Sequence, residues 1–371
     1  MHPATENEEL FYLLALSFIP GVGVRTGRAL LARFGSAKAV FSAPLKELTT
    51  IDGVSDARAK AFREPDILQK AGAELDFILK NNVKVYSIEA EGYPTRLAAC
   101  ADAPLLLFCK GTARPEAKKT VAIVGTRKNT DYGQKLCEEL VDGLRQLDDL
   151  LVVSGLALGI DAIAHKKCVQ AGIPTIGVLG HGVDTIYPPS NKNLAAQMME
   201  NGGILSEFPS GTALDRGNFP MRNRIVAGMC DVTVIVESHA SGGALITASL
   251  AAGYNREVAA FPGRVTDSRS AGCNALIRSN MAAMITNTED LLQLMNWDGQ
   301  MKARAVQPQL FLHLTPEEQK IVDLLQAREN AHVDELSYHT GMPTAMLAGT
   351  LLQLELQGVI KALPGKYYRI Y

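Results

Sequence analysis

Between residues 85 and 296 the chain alternates short apolar runs with helical stretches, and this constrains its fold more than any other feature. Val121 to Gly125, Leu150 to Gly155, Pro174 to Gly180, Gly203 to Glu207, Asp231 to Glu237, Glu257 to Gly263 and Ala282 to Thr286 each read as a strand. A strand that is apolar along its whole length needs cover on both faces. Helical stretches such as Gly133 to Leu147 and Ile160 to Ala171 supply that cover. The pattern predicts an α/β fold with a doubly wound, mostly parallel sheet.

The flanks read differently. Residues 1 to about 80 suggest short helices joined by glycine turns, at Ile19-Pro20-Gly21-Val22-Gly23 and Leu48-Thr49-Thr50-Ile51-Asp52-Gly53-Val54. Each turn followed by a helix resembles a helix-hairpin-helix, whose backbone N–H groups can hold a phosphate; simple packing elements fit the same pattern. Residues 298–313 form a polar linker with Lys302, Arg304, Gln307, Pro308 and Gln309. From 314 to 371, Thr315 as N-cap, Pro316 at the first helical position and Glu318 spell a capping box. Helical patterns follow at Val333 to Thr340 and Thr344 to Gln357, then a small hairpin around Pro364-Gly365. Three helices and a hairpin predict a winged helix.

The formal net charge is −2, so a nucleic-acid site must be a local basic patch rather than a global field. The six cysteines show no Cys-x-x-Cys spacing, which argues for buried, reduced thiols and against a zinc centre. The acidic start, Met-His-Pro-Ala-Thr-Glu-Asn-Glu-Glu, has no signal-peptide core, and no apolar run approaches the ~20 residues of a membrane span. A cytoplasmic protein is expected, with no metal or cofactor.

In an open α/β sheet, ligands sit beyond the carboxyl ends of the strands. There the sequence places Gly125-Thr126-Arg127, Ser154-Gly155-Leu156-Ala157-Leu158-Gly159 and Ser238-His239-Ala240-Ser241-Gly242-Gly243. Glycines at several strand ends let the backbone approach a ligand and aim N–H groups at it, which suits a phosphate-rich ligand. Gly242-Gly243 before a helix is one candidate cradle, and Gly155 with Gly159 another. Arg127 follows the first strand, while Arg216, Arg222, Asn223 and Arg224 surround Phe219. Guanidinium forks match phosphate oxygens, and an exposed aromatic offers a base a stacking face. Internal ion pairs for Arg222 and Arg224, with Phe219 in the core, remain the competing reading. Asp161 and His165, one helical turn apart, read as a capping carboxylate and a satisfied histidine rather than a metal or acid–base pair. No Gly-x-Gly-x-x-Gly follows the first strand and no P-loop occurs, so dinucleotide binding and ATPase chemistry are unsupported.

The chain resembles the DprA/Smf family. The resemblance rests on Val121 to Arg127 with Tyr132-Gly133, on Ser154 to Asp161 with Ala164-His165, and on Gly180-His181-Gly182-Val183-Asp184 with Tyr187-Pro188 and Asn191. Phe219-Pro220-Met221-Arg222-Asn223-Arg224-Ile225-Val226-Ala227-Gly228 is its most distinctive stretch; Ser241 to Ala248, Pro262-Gly263 and Gly272 to Ile277 complete it. It covers roughly 90 to 290. It implies an extended Rossmann-like domain with a helical SAM/helix-hairpin-helix-like segment before it and a winged helix after it. It implies a homodimer that binds single-stranded DNA, protects it, and loads the RecA recombinase on it during natural transformation. The family's DNA pocket maps onto Gly125, Thr126, Arg127, Ser154, Gly155, Arg216, Phe219, Arg222, Asn223, Ser241, Gly242 and Gly243. Thr126 replaces a more usual serine, and Ser238-His239-Ala240 carries no Lys or Arg where a basic contact would help.

Two alternatives belong to other classes. A nucleotide-processing enzyme of the phosphoribohydrolase type shares a related fold, but Gly243 leads into Ala244-Leu245-Ile246-Thr247-Ala248-Ser249 with no glutamate in that turn. A winged-helix regulator of duplex DNA would need base-reading arginines, which Met342-Pro343-Thr344-Ala345-Met346-Leu347 lacks.

Overall fold

The computed structural model describes residues 3–297 and 314–370, apart from 113, 327, 329, 358, 364 and 365. The chain divides into two units, 1–302 and 303–371. In the first, the strands are β1 (Lys84–Ser87), β2 (Leu106–Gly111), β3 (Lys119–Val124), β4 (Leu150–Ser154), β5 (Thr175–Val178), β6 (Gly202–Ser206), β7 (Val232–Ile235), β8 (Glu257–Ala260) and β9 (Ala283–Met284). They form one sheet in the order β1-β2-β6-β5-β4-β3-β7-β8-β9. From β6 across to β9 every pairing is parallel; β2 joins β6, and β1 joins β2, antiparallel. The expected doubly wound sheet is therefore present, extended by two antiparallel strands.

Alternation along each strand divides the core in two. Val121 and Ile123 of β3 pack with Leu136, Leu140 and Leu144 of the helix Asp131–Leu144 on one face. Ala122 and Val124 pack on the other with Ile225, Val226 and Met229 of the helix Asn218–Met229 and with Ala248 and Ala251 of the helix Gly243–Gly253. All six cysteines are free and buried. From β3 the chain builds outward through β4, β5 and β6, then returns to lay β7 on the opposite side of β3. This reversal splays the loops after β3 and β7 apart and opens a crevice at their carboxyl ends.

The N-terminal helices pack into the same unit. Gly21 (φ 77°) and Gly53 (φ 87°) turn the chain in the left-handed region, as the two glycine turns require. The Glu74 carboxylate, in the helix Pro65–Lys80, accepts from Ser210 N at 3.0 Å and Ser210 Oγ at 2.5 Å, tying that helix to the loop after β6.

In the second unit, helices Pro316–Gln326, Val333–Thr340 and Thr344–Leu356 enclose Ile321, Leu325, Leu336, Leu347 and Leu351. The capping box forms as read: Thr315 N donates to Glu318 Oε2 at 2.8 Å, and Glu318 N to Thr315 Oγ1 at 3.3 Å. Strands β10 (Ala331–His332), β11 (Ile360–Leu363) and β12 (Tyr367–Ile370) make a sheet in the order β10-β12-β11, one strand more than the expected hairpin. The expected linker at 298–313 and the turn at Pro364-Gly365 lie outside the described residues.

Asp161 and His165 both have internal partners, but against the reading Asp161 caps the loop before its helix rather than the helix, and the histidine is satisfied at one nitrogen only. Asp161 accepts from Gly155 N at 3.1 Å and Ala157 N at 3.4 Å, organising the loop after β4. His165 Nδ1 lies 2.7 Å from Thr175 Oγ1, which itself donates to Val152 O at 3.0 Å, so the imidazole carries its proton on Nδ1. Its Nε2 is buried without a partner. Burial, and then the Arg222 charge, push His165 down to about 3. The unfolded chain, with an ordinary histidine near 6.5, takes up this proton first, so stability falls as the pH drops below about 6.5. Denaturant unfolding at pH 7 and pH 5 is expected to show wild type losing up to about 2 kcal/mol more than His165→Asn over that interval. Other titrating groups are common to both proteins and cancel in the comparison; equal losses would contradict the assignment.

Candidate functional site

The crevice at the β3–β7 reversal is a cleft of ≈ 360 Å³. Its walls are the loop after β3 (Gly125 to Lys128), the loop after β4 (Gly155, Ala157, Asp161), the helix residues Arg222 and Asn223, and the loop after β7 (Ser238, His239, Gly242, Gly243). The β3 loop is pinned on both sides. Thr126 N donates to Glu237 O at 2.8 Å, and Thr126 O accepts from Ile160 N at 3.2 Å. The Thr126 hydroxyl accepts from Lys128 N at 3.2 Å and so shapes the turn that presents Arg127 and Lys128. Gly125 is required by packing: a Cβ there would lie 2.6 Å from Ile160 Cγ1 and 3.0 Å from Glu237 O.

Opposite this loop, the helix Gly243–Gly253 begins with Gly242 as an extended N-cap. Gly242 N donates to His239 O at 3.1 Å, whereas the N–H groups of Gly243 and Ala244 have no acceptor among the described residues. A side chain at Gly243 would meet nothing within 4 Å, and both Gly243 and Ala244 line the cleft. Unsatisfied N–H groups at a helix start attract anions both as donors and through the helix dipole.

The cations sit at two depths. Arg127 is exposed, and its guanidinium carbon lies 6.0 Å from the centre of the Phe219 ring. Phe219 is half-buried, not core, and its ring is 6.0 Å from that of Tyr187. Lys128 is exposed beside Arg127. Arg222 lies beneath them: it is buried, donates to Gly155 O and Val178 O, and places Nε 3.2 Å from Asn223 Oδ1. Burial lowers Arg222 to about 10, against the opposing pull of Asp161, so it stays charged at neutral pH. Burial raises the Asp161 carboxyl above its ordinary value, with Arg222 working against that rise.

Eight of the twelve residues singled out from the sequence line this cleft: Gly125, Thr126, Arg127, Gly155, Arg222, Asn223, Gly242 and Gly243. The others need correction or relocation. Ser154 is fully buried and donates to Ile123 O at 2.6 Å, so its hydroxyl fastens β4 to β3 instead of facing a ligand. Among the eight, Arg222 is buried at the cleft's floor, because the carbonyls of Gly155 and Val178 draw it inward. Arg216 and Ser241 are exposed but lie outside the cleft lining, and Phe219 stands beside it through Arg127. Arg224 follows the internal reading, paired with Glu207 and with Asp102 O. Gly159 is not a second cradle: its φ of 78° presses the turn against Arg127, and the following N–H is taken by Thr126 O. Lys128 and His239 line the cleft but were not singled out; the adjacent Arg127-Lys128 pair was the available signal.

Glu237, the carboxylate nearest the Gly-Gly loop in sequence, is turned into the fold. It accepts from Thr130 N at 2.9 Å and Thr130 Oγ1 at 2.5 Å and does not line the cleft. No group of three or more potential metal ligands occurs among the described residues, and no described helix is long and apolar enough to cross a membrane.

Comparison with known proteins agrees with this architecture. The family profile of DNA recombination-mediator protein A matches residues 84–296, a DprA winged helix domain matches 304–366, and a SAM-like helix-hairpin-helix tandem matches 13–61. Protein Smf of Escherichia coli is 33% identical over 80% of this chain and 80% of its own length. The crystal structure of DNA processing protein A from Streptococcus pneumoniae superposes with a TM-score of 0.65 at 32% identity, covering 77% of this chain and 96% of that one. The structure of DNA processing protein A from Helicobacter pylori, which concerns its single-stranded DNA binding mode, superposes with a TM-score of 0.52 at 29% identity, covering 59% of this chain and 98% of that one. The sheet order, the glycine-rich cleft at its reversal and these matches together place the chain in the family of DNA recombination-mediator protein A, the DprA/Smf family.

Proposed function

We propose that the chain is a cytoplasmic, homodimeric mediator that binds single-stranded DNA in the β3–β7 cleft, protects it, and loads RecA on it during natural transformation. The observation that carries this reading is the pairing of free helix-start N–H groups with Arg127 and Lys128 across one cleft. Such a pair holds a phosphodiester from two sides, one by dipole and one by charge. Tyr187, exposed beside Phe219, offers a ring face on which an unpaired base can stack, which favours single strands over duplex. The single-stranded DNA binding mode of the Helicobacter pylori relative supports the same choice.

Arg127, Lys128 and Arg222 supply the cleft's positive charge and Asp161 offsets part of it, so the phosphate term involves few contacts. The reading is of binding without turnover: Glu237, which a phosphoribohydrolase reading would enlist, is committed to Thr130.

Arg127→Ala is expected to weaken oligodeoxythymidylate binding and to reduce the slope of log affinity against log salt by about 0.7, the share of one single-strand phosphate contact. Fluorescence anisotropy across a salt titration, with duplex as competitor, reads both quantities; wild-type affinity and slope in the variant would refute the cleft as the DNA site. Arg222→Ala is expected to lower stability as well, by about 2 kcal/mol or more, because Gly155 O and Val178 O lose their buried donor. Thermal unfolding separates the two variants: Arg127→Ala melts like wild type and Arg222→Ala melts earlier.

A further inference from the structure

A second cleft of ≈ 660 Å³ opens one strand further along the same edge of the sheet, where β8 ends in Phe261-Pro262-Gly263-Arg264. Thr130, Tyr132, Pro262, Gly263, Arg264 and Asp267 line it together with Ser270. The volume is that of a small-ligand site, typically about 300–1,000 Å³. It adjoins the first cleft through the loop after β7: Thr130 is bonded to Glu237, and the next residue, Ser238, lines the first cleft.

Two side chains there have unexplained exposure. Tyr132 leaves 49% of its surface open although it stands on the rigid first turn of the helix Asp131–Leu144. Its ring is held: Tyr132 Oη donates to Pro262 O at 3.0 Å, and the turn beneath it is clamped by Thr130 Oγ1 accepting from Gly133 N at 3.1 Å while donating to Glu237. A Cβ at Gly133 would lie 2.8 Å from Glu237 Cγ, so the glycine admits the clamp. Arg264 is exposed; its carbonyl accepts from Asp267 N at 3.0 Å, and its guanidinium has no hydrogen bond or ion pair among the described residues. The loop that carries it is fixed, with Gly263 N donating to Asn274 Oδ1 at 3.1 Å and Asn274 Nδ2 to Gly263 O at 3.0 Å. The one carboxylate in the lining, Asp267, accepts from Arg269 N at 2.9 Å.

We propose that this cleft is a second nucleotide subsite, in which an unpaired base stacks on Tyr132 and its phosphate meets Arg264, with Glu237 as the positioning residue that holds the tyrosine's turn. The proposal rests on the single-stranded DNA reading of the first cleft and extends that strand along the sheet edge past β8. A preorganised ring needs no ordering on binding, so stacking is gained at low entropic cost. Asp267 balances Arg264, so the subsite draws on the base's π-face more than on net charge.

The test compares oligodeoxythymidylates of about 4 and about 16 nucleotides, the first short enough for one cleft and the second able to reach both. Tyr132→Ala is expected to weaken the longer ligand by roughly 5- to 150-fold, the range of one lost stack, and to leave the shorter one and the salt slope unchanged. Tyr132→Phe is expected to retain binding, which separates stacking from loss of the hydroxyl bond. Arg264→Ala is expected to reduce the salt slope by about 0.7 on the longer ligand only. Tyr132→Ala binding both lengths like wild type would overturn the subsite while leaving the first cleft intact. Wild type binding neither length would overturn the single-stranded DNA reading, and the subsite with it.

Discussion

The cleft depends on one buried cation. Arg222 reaches from the helix Asn218–Met229 to the carbonyls of Gly155 and Val178, the C-terminal ends of β4 and β5. Strand carbonyls at that edge have no further strand partner, and the guanidinium supplies donors in a fixed planar fork. The bonds dock the helix at a set height and thereby place Asn223 on the cleft wall and Phe219 beside Arg127. The cost of burying this charge is offset by those carbonyls and by Asp161, which itself organises the loop after β4. A Cβ at Gly155 would come within 2.6 Å of the Arg222 guanidinium, so the glycine is needed for the cation's seat as much as for ligand approach.

Glu237 plays the corresponding part on the other side. Its backbone carbonyl holds Thr126, and its carboxylate holds Thr130, so one residue at the end of β7 fixes both ends of the loop that carries Arg127 and Lys128. The site residues are therefore anchored to strands rather than left on free loops. Such anchoring suits a surface that binds an extended polymer, because the protein contributes little ordering entropy when the ligand arrives.

Much of this was legible in the sequence. Long apolar runs gave the parallel strands because burial on both faces leaves no room for polar alternation, and glycines at strand ends marked the edge where ligands sit. The start of the winged helix's first helix was readable from Thr315-Pro316-Glu317-Glu318, a capping signal that depends only on local chemistry. The edge strands were harder: Lys84-Val85-Tyr86-Ser87 is short and only partly buried, and its pairing with β2 depends on partners far along the chain. The roles of the arginines were least legible. Arg222 and Arg224 lie two residues apart on one helix, yet one spans two strand ends and the other pairs with Glu207. Ser154 ends β4 and Ser238 lies in the loop after β7, but one hydroxyl points into the β3–β4 seam while the other residue lines the cleft. Such differences are set by side-chain direction at the sheet edge, which spacing alone does not encode.

The balance of charge in the cleft decides what kind of binder this can be. Two exposed cations and one buried cation face a single buried carboxylate, on a chain whose net charge is −2. If the proposed ligand is DNA, a site of this kind cannot rely on a long-range field to gather it, and so few cations make the ionic term modest. Fixed helix-start N–H groups and held aromatic rings must then carry the remainder. Neither depends on the base sequence: N–H groups meet the backbone, and every base has a π-face. The same features that make the cleft weakly electrostatic thus make it tolerant of sequence, which suits the single-stranded ligand proposed for it.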